Sequence, residues 1–256
     1  MEAALAPKRR SHLTRCAIQK GVQITENDIA DIFEPLARHA QLTTRQLVAF
    51  GTRHPIITKA RLGELWHATE DQRSHDHMAS DITLDIEIGA RRAGLPFQSH
   101  VDILRAAPAA TYTQKKPLKI PVTVEGRATF VEPDALFAIA GRAYALEADT
   151  GTESIRAVII PKILAYREIV AAGVIDDHLG IDNLTVLFAT PSEMRMRNIM
   201  SELATIARNG RSTMFAFSAD ATFGAFLRTP APTGRLVHSP WQRVGHDEVV
   251  LDRNQG

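Results

Sequence analysis

The feature that most restricts the fold is a change of hydrophobic pattern near Pro96. After it come four short β-branched or alternating segments separated by turn residues: "HVDILRA", "IPVTV", "ATFVEPDALFAI" and "YALEADT". A helical stretch over residues 153–172 follows, then a strand "LTVLFAT", a helix from Ser192 and a strand "STMFAFSA". A meander followed by α-β-α-β predicts an α/β fold with helices packed on a mixed sheet.

Before Pro96 the apolar residues recur at helical spacing. "TENDIADIFEPLARHA" predicts one helix, and "TTRQLVAF" predicts a second, because Thr43 and Gln46 have the spacing of a capping box. "TKARLGELWHA" predicts a third, with Lys59 and Arg61 pointing outward. Three short helices with tight connections are typical of a helix-turn-helix or winged-helix unit, and equally of a plain three-helix bundle. "HMASDITLDIEIGARRAGL" predicts a further helix that bridges to the strands.

Composition narrows the protein class. The chain has 256 residues and one cysteine, Cys16, which excludes an internal disulfide and a multi-cysteine zinc site. Its apolar runs are shorter than the roughly 20 residues of a membrane span, and its start has no signal-peptide core, so we predict a cytoplasmic protein with no membrane contact. We predict a basic tail over residues 1–24, a helical domain over 25–95, an α/β domain over 96–228 and a loosely held tail over 229–256.

A predicted hairpin brings three carboxylates to one place. With Gly141 and Arg142 as its two-residue turn, Asp134 lies opposite Asp149, and Glu147 projects from the same face as both. Three acids on one patch repel each other unless a cation or protons are bound, and oxygen clusters of this kind suit Mg²⁺. The pattern fits a metal site and also fits a hairpin end with solvated acids. The opposite face is predicted to be apolar and consists of Ala135, Phe137, Ile139, Tyr144 and Leu146.

The helix after the hairpin carries a lysine where an apolar residue is expected. Lys162 and Tyr166 are four residues apart and therefore share a face. The apolar residues predicted on that side are Val158, Ile159, Ile169 and Val170. A buried lysine needs a partner, which the carboxylates of the hairpin would supply; alternatively, its stem extends to solvent.

Three stretches of this sequence resemble the replication-relaxation family of plasmids and other mobile elements: "PDALF", "LEADTGTES" and "KILAY". That family is similar to MOBC-type relaxases and has a core related to the PD-(D/E)xK nucleases. The resemblance implies a winged-helix-like N-terminal domain, for which "ARHAQLTTRQLVAF" is the most typical stretch, followed by a restriction-endonuclease-like mixed-sheet domain. It covers roughly residues 25–219.

The same resemblance implies a catalytic site. Asp134 and Glu147 match the acids of the nuclease motif, whereas Asp149 replaces the lysine expected two residues after the second acid. Lys162 is then expected to supply the positive charge from the helix. Asp134, Glu147 and Asp149 are the expected ligands of Mg²⁺ or Mn²⁺. Tyr166 is expected to position a group through its hydroxyl, or to act as a relaxase-type nucleophile.

The partner implied by the resemblance is double-stranded DNA at an origin-type site, contacted through Arg45, Lys59 and Arg61. A homodimer or partners in a mobilisation complex are also compatible with it. The predicted function is DNA processing for a mobile element, by metal-dependent nicking or relaxase chemistry. The alternatives are a non-catalytic DNA-binding regulator that uses the same fold as a scaffold, and an interaction protein whose acidic patch is incidental.

Overall fold

The computed structural model describes residues 27, 29–39, 42, 44–51, 58, 74–223 and 231–252. The α-helices are α1 (Glu34–His39), α2 (Thr44–Phe50), α3 (Ser74–Arg92), α4 (His100–Ala106), α5 (Ala109–Tyr112), α6 (Ile160–Ala171), α7 (Val174–Leu179) and α8 (Glu193–Ile206). The strands are β1 (Phe97–Ser99), β2 (Ile120–Val124), β3 (Arg127–Val131), β4 (Ala135–Ile139), β5 (Arg142–Ala148), β6 (Leu184–Thr190), β7 (Phe215–Ala219), β8 (Trp241–Arg243) and β9 (His246–Val249). Short π-helical turns cover Ile29–Phe33 and Ile155–Ile159, and 3₁₀ turns cover Arg208–Gly210 and Arg235–Val237.

A seven-stranded mixed sheet organises the fold, with strand order β1-β4-β5-β6-β7-β8-β9. β4 runs antiparallel to β1 and β5, whereas β5, β6 and β7 are parallel neighbours. Parallel neighbours need crossover connections, and α6 and α8 lie in the two segments that join these strands. β2 and β3 form a separate two-stranded ribbon. The prediction of an α/β fold with a mixed sheet is confirmed.

Helices cover both faces of the sheet, so its central strands are buried on both sides. On one face, Leu136, Ala145 and Phe188 pack in a core with residues of α6 and α8. On the other face, Phe137 and Tyr144 pack with α3 and with the C-terminal segment. This two-sided burial explains the nearly continuous apolar sequence of β6.

The β4–β5 hairpin turns at Ala140 and Gly141, not at Gly141 and Arg142. Pairing ends at Ile139↔Arg142, and both turn residues have positive φ, 50° and 81°. Positive φ at both central residues is the geometry of a type I′ turn, which matches the right-handed twist of the flanking strands as the predicted type II′ turn also would.

The pairing that follows puts Leu136 opposite Ala145. The predicted register, in which Asp134 lies opposite Asp149, is therefore wrong by two positions. Because side chains alternate between faces with a period of two, this error leaves every side chain on its predicted face. The predicted apolar face is confirmed, since Phe137, Ile139, Tyr144 and Leu146 are all buried together.

The segment "HVDILRA" was expected to be a strand and is instead α4. Ser99 caps this helix by accepting a hydrogen bond from the amide of Asp102, whose carboxylate accepts one from the amide of Ser99. This reciprocal capping outweighs the strand preference of the β-branched residues that follow.

Residues 231–252 are part of the fold, so the expectation of a loosely held tail from Thr229 is wrong for them. β8 pairs with β7, and β9 extends the sheet. Trp241 is completely buried. The carboxylate of Asp85 on α3 accepts hydrogen bonds from three backbone amides, those of Thr233, Gly234 and Leu236, at 2.6, 2.8 and 2.9 Å. β8 and β9 were not predicted because short polar strands after a proline-rich stretch have no clear hydrophobic pattern.

The N-terminal prediction is tested only in part. α1 and α2 confirm two of the expected helices, whereas the third lies outside the described residues except for Thr58. α3 contacts β4 and β5 as well as α1, so the predicted boundary between residues 95 and 96 does not separate this helix from the sheet. Within the described ranges, no helix combines the length and the apolar character needed to cross a membrane.

Candidate functional site

The three predicted carboxylates lie at one end of the sheet, beside the β4–β5 pair. Asp134 immediately precedes β4, Glu147 is the second-last residue of β5, and Asp149 directly follows β5. Because β4 and β5 are antiparallel, the start of one lies beside the end of the other. The strand topology therefore brings Asp134 beside two acids that are more than ten positions away from it in sequence.

Glu147 is the buried centre of the site, with 2% of its surface exposed. Lys162 on α6 donates from Nζ to Glu147 Oε2 at 2.6 Å, and Tyr166 donates from Oη to Glu147 Oε1 at 2.5 Å. The prediction that a hairpin carboxylate is the partner of Lys162 is confirmed. Two donors one helical turn apart hold both oxygens of one carboxylate in place.

The predicted apolar stripe of this helix is correct only in part. Ile159 and Ile169 are buried, whereas Val158 and Val170 are 38% and 37% exposed. The helix begins with the π-helical turn Ile155–Ile159, and Pro161 lies in the first turn of the α-helical part. A π turn has more residues per turn than an α-helix, so the α-helical period used for the prediction fails at Val158; Val170 lies in the regular α-helix, and the π turn does not explain its exposure.

Opposing effects act on the pKa of Glu147. Burial and the neighbouring charge of Asp134 raise the pKa of Glu147 to about 7, against the opposing effect of Lys162 and Tyr166. Burial favours the neutral amine of Lys162, but attraction and the hydrogen bond to Glu147 outweigh it and raise the Lys162 pKa. Glu147 therefore changes its protonation near neutral pH beside a lysine that stays charged.

Asp134 lies close enough to Glu147 for their charges to interact. Its Oδ2 accepts a hydrogen bond from the backbone amide of Ala148 at 2.7 Å, which ties the loop before β4 to the end of β5. Asp134 is only half-buried. It is thus the more accessible of the two neighbouring carboxylates.

Tyr166 is completely buried. Burial and the nearby carboxylate of Glu147 raise its pKa well above 10.0, and its hydroxyl hydrogen points to Glu147. A nucleophile must lose this proton and reach a phosphorus atom. The geometry therefore favours the positioning role for Tyr166 over the nucleophilic one.

Asp149 is held by an arginine that the sequence analysis did not identify. Arg195 on α8 donates from Nε to Asp149 Oδ2 at 2.5 Å and from Nη2 to Asp149 Oδ1 at 2.9 Å. Arg195 also donates to the carbonyl oxygen of Glu153 at 2.6 Å, and the amide of Gly151 donates to Asp149 Oδ1 at 3.0 Å. Asp149 thus fixes the loop after β5 to α8.

A signal for Arg195 was present in the sequence. It lies in the first turn of α8, which follows the N-cap Ser192. A positive charge is unfavourable there because the helix dipole places partial positive charge at this end. An arginine in that position indicates a carboxylate partner from another element.

Carboxylate oxygens are suitable ligands for a divalent cation, but the three carboxylates of the site do not converge on one point. Mg²⁺ takes oxygen ligands and commonly uses one or two carboxylates, with water and substrate phosphate completing its shell. Asp134 and Glu147 are neighbours and fit that requirement, whereas Arg195 occupies both oxygens of Asp149. Among the described residues, no group of three or more His, Cys, Asp or Glu side chains is arranged to hold a metal ion. Metal binding by all three carboxylates stays a prediction.

An open cleft of about 480 Å³ adjoins the Asp149–Arg195 pair. Its polar lining includes Ser154, Arg156, Asn198 and Ser201. Arg156 is exposed and donates twice to Glu202 Oε1, from Nε at 2.9 Å and from Nη2 at 2.8 Å. The cleft gives a solvent-accessible approach to this edge of the site.

The predicted DNA contacts belong to the N-terminal region. Arg45 lies in α2, but Lys59 and Arg61 lie outside the described residues. Comparisons with protein-family models, with curated proteins and with solved structures each found no match. The family resemblance and the DNA contacts therefore stay predictions.

Proposed function

We propose that this chain is a DNA-binding, DNA-processing protein of the replication-relaxation type, in which Asp134, Glu147 and Lys162 form a metal-dependent site for cleaving one DNA strand. The observation that carries the proposal is the direct bond between Lys162 and Glu147 beside Asp134. This arrangement brings two acids and a lysine together, as the resemblance to the PD-(D/E)xK nucleases implies, although the lysine comes from a helix. The sheet order, with β4–β5 antiparallel and β5–β6 parallel, supports an endonuclease-like core.

In this proposal Asp134 and Glu147 hold Mg²⁺ or Mn²⁺. The ion, when bound, activates a water molecule and offsets charge on the phosphate. Lys162 is the internal cation that satisfies Glu147 without metal. With a metal ion bound to Glu147, Lys162 would be available to offset negative charge on a phosphate oxygen.

Tyr166 and Arg195 hold the carboxylates of the site in position. Tyr166 fixes the orientation of Glu147 by holding Oε1 from the buried side. Arg195 fixes Asp149 and the loop after β5. Neither needs to touch DNA to fulfil this role, so we assign both as positioning residues.

The test is nicking of supercoiled plasmid carrying a candidate origin, with Mg²⁺, Mn²⁺ or no metal. We expect metal-dependent conversion to the open-circular form, and its loss in Asp134→Asn. Asp177→Asn, at an exposed carboxylate on α7, is the matched control and should retain activity. Calorimetric titration with Mn²⁺ gives a readout that does not depend on cleavage, and Asp134→Asn should weaken this binding. Equal nicking by Asp134→Asn and the parent protein would refute the proposed site.

The second candidate is a non-catalytic DNA-binding regulator. It is favoured by a specific observation, since Glu147 and Asp149 each have both oxygens bonded to protein donors. A carboxylate satisfied in this way stabilises the fold without a metal. DNA binding that is retained in Asp134→Asn, together with no nicking by the parent protein in any metal, would select this candidate.

A further inference from the structure

The β2–β3 ribbon is buried on one face of β2 and exposed along most of β3. Ile120, Val122 and Val131 are buried in the core that also contains residues of α6. Residues 127–130 of β3 are all exposed. The outer face, formed by Pro121, Thr123, Ala128 and Phe130, is exposed and therefore accessible to a partner.

Aromatic and basic side chains gather on and around this ribbon. Residues 112–132, here called the basic ribbon, contain four Lys or Arg residues and two Glu residues. Tyr112 and Phe130 are 57% and 50% exposed, and both belong to the small set of exposed large apolar side chains in the described ranges. Lys119 places Nζ 3.5 Å from the centroid of the Phe130 ring, and Lys115 and Lys116 are exposed.

This combination suits single-stranded nucleic acid. Exposed aromatic rings provide stacking surfaces for bases, while nearby cations neutralise phosphates. The Lys119 ammonium covers the face of Phe130 through a cation–π contact. A base stacked on that ring would replace Lys119, which is then free to contact a phosphate. In a duplex the base faces are already stacked and cannot make this contact.

The basic ribbon lies next to the candidate site. Lys116 forms an ion pair with Glu132 at 3.4 Å, and Glu132 is two residues before Asp134. α6, which carries Lys162, packs against both β2 and β3. The basic ribbon and the candidate site are therefore connected through the segment before β4 and through α6.

We infer that the basic ribbon binds single-stranded DNA through stacking on Phe130 and phosphate contacts from Lys115, Lys116 and Lys119, and so presents a separated strand to the candidate site. The inference rests on the proposed function and narrows its substrate to DNA that is locally unpaired.

The experiment uses the full chain and a fluorescently labelled oligothymidylate of about 20 nucleotides, longer than a typical single-strand binding site. Fluorescence anisotropy gives the affinity at several salt concentrations. Phe130→Ser should weaken binding at least about 5-fold, the loss expected from one stacked base. The Lys115→Gln/Lys116→Gln double variant should reduce the slope of log affinity against log salt by about 0.7 for each phosphate that is no longer neutralised.

The matched control is Val170→Ser combined with Arg211→Gln. It removes one exposed apolar side chain and one exposed cation. Neither residue belongs to the basic ribbon, and Arg211 donates from Nε to the carbonyl oxygen of Gly245 between β8 and β9 at 2.8 Å. This control should bind the oligonucleotide as the parent does, and circular dichroism should show that all variants are folded.

The outcomes separate this inference from the proposed function. Unchanged oligothymidylate binding by both ribbon variants overturns the inference, even if Asp134→Asn abolishes nicking. Equal or tighter binding of a duplex of the same length, with no effect of Phe130→Ser, also overturns it. Loss of strand binding in Phe130→Ser, with no nicking by the parent protein, supports the ribbon as a DNA surface and refutes the catalytic proposal alone.

Discussion

Replacing Lys162 by methionine removes the cation from a buried carboxylate and keeps much of the side-chain volume. Glu147 would retain the hydrogen bond from Tyr166 but lose the ammonium group that is 2.6 Å away. The substitution should destabilise the protein, and the loss should depend on pH because Glu147 has a raised pKa of about 7.

The expected loss of stability in Lys162→Met depends on whether Glu147 is protonated. Removing one partner of a buried ion pair costs about 3–5 kcal/mol when the other stays charged, but a carboxyl group that keeps its proton avoids most of this cost. At about pH 6 Glu147 is neutral with or without Lys162, so the loss should be about 1 kcal/mol, the contribution of one hydrogen bond. Above about pH 7 the parent protein ionises Glu147 beside Lys162, whereas we expect Glu147 to keep its proton in the variant, which lacks the ammonium group that lowers this pKa. This difference adds about 1.4 kcal/mol per pH unit, which gives a loss of about 2 kcal/mol at about pH 8.

The sign of the pH dependence is fixed by proton binding. In the parent protein the folded state holds the Glu147 proton more tightly than the unfolded chain, so this group lowers stability as pH rises from about 4.5 to about 7. In Lys162→Met the pKa of Glu147 rises further, and the decline continues above pH 7.

Urea unfolding curves of the parent protein and of Lys162→Met, monitored by tryptophan fluorescence at about pH 6 and about pH 8, measure the loss of stability at each pH. The control is the same substitution in a Glu147→Gln background, where no carboxyl group is left to titrate and the added loss at high pH should disappear. A loss that is equal at both pH values, or larger at pH 6, would refute the argument that Glu147 titrates beside Lys162.

Three further predictions test the packing around the site. Arg195→Gln leaves the buried carboxylate of Asp149 without its cation and should lower the free energy of unfolding by about 3 kcal/mol in urea titrations. The control is Arg197→Gln, which removes an exposed ion pair on the same helix and should lower the free energy of unfolding by less than about 1 kcal/mol. A Gly→Ala substitution normally stabilises a helix. In Gly89→Ala, however, the added Cβ would lie 2.3 Å from the carbonyl oxygen of Gly234, so we expect a lower Tm. An unchanged or higher Tm would contradict this close approach. Trp241→Ala should cost about 3–5 kcal/mol in urea unfolding, whereas a negligible loss would restore the interpretation of the C-terminal segment as a tail.

Much of the central fold could be predicted because it depends on local periodicity. β6, β7 and α8 follow from apolar runs and a capping serine. The face of Glu147 was predicted correctly despite a wrong turn, since an error of two positions preserves alternation along a strand. The partner of Lys162 was also predictable, because a lysine at an apolar position requires a carboxylate nearby.

The errors lie where local signals conflict or are weak. α4 was expected as a strand because its β-branched residues were given more weight than the cap at Ser99. β8 and β9 were missed because short polar edge strands have almost no pattern of their own. Their place in the sheet depends on pairing with β7 and on the anchoring carboxylate of Asp85.

The sequence by itself determined most elements of the central sheet and which side chains of the β4–β5 hairpin share a face, because both depend on neighbours within a few positions along the chain. Only the tertiary structure decided which distant groups meet: Arg195 with Asp149, 46 positions apart, and Lys162 with Glu147 rather than with another acid. Those pairings depend on how helices cross the sheet, and the energy that fixes the crossing comes from the packing of the whole core.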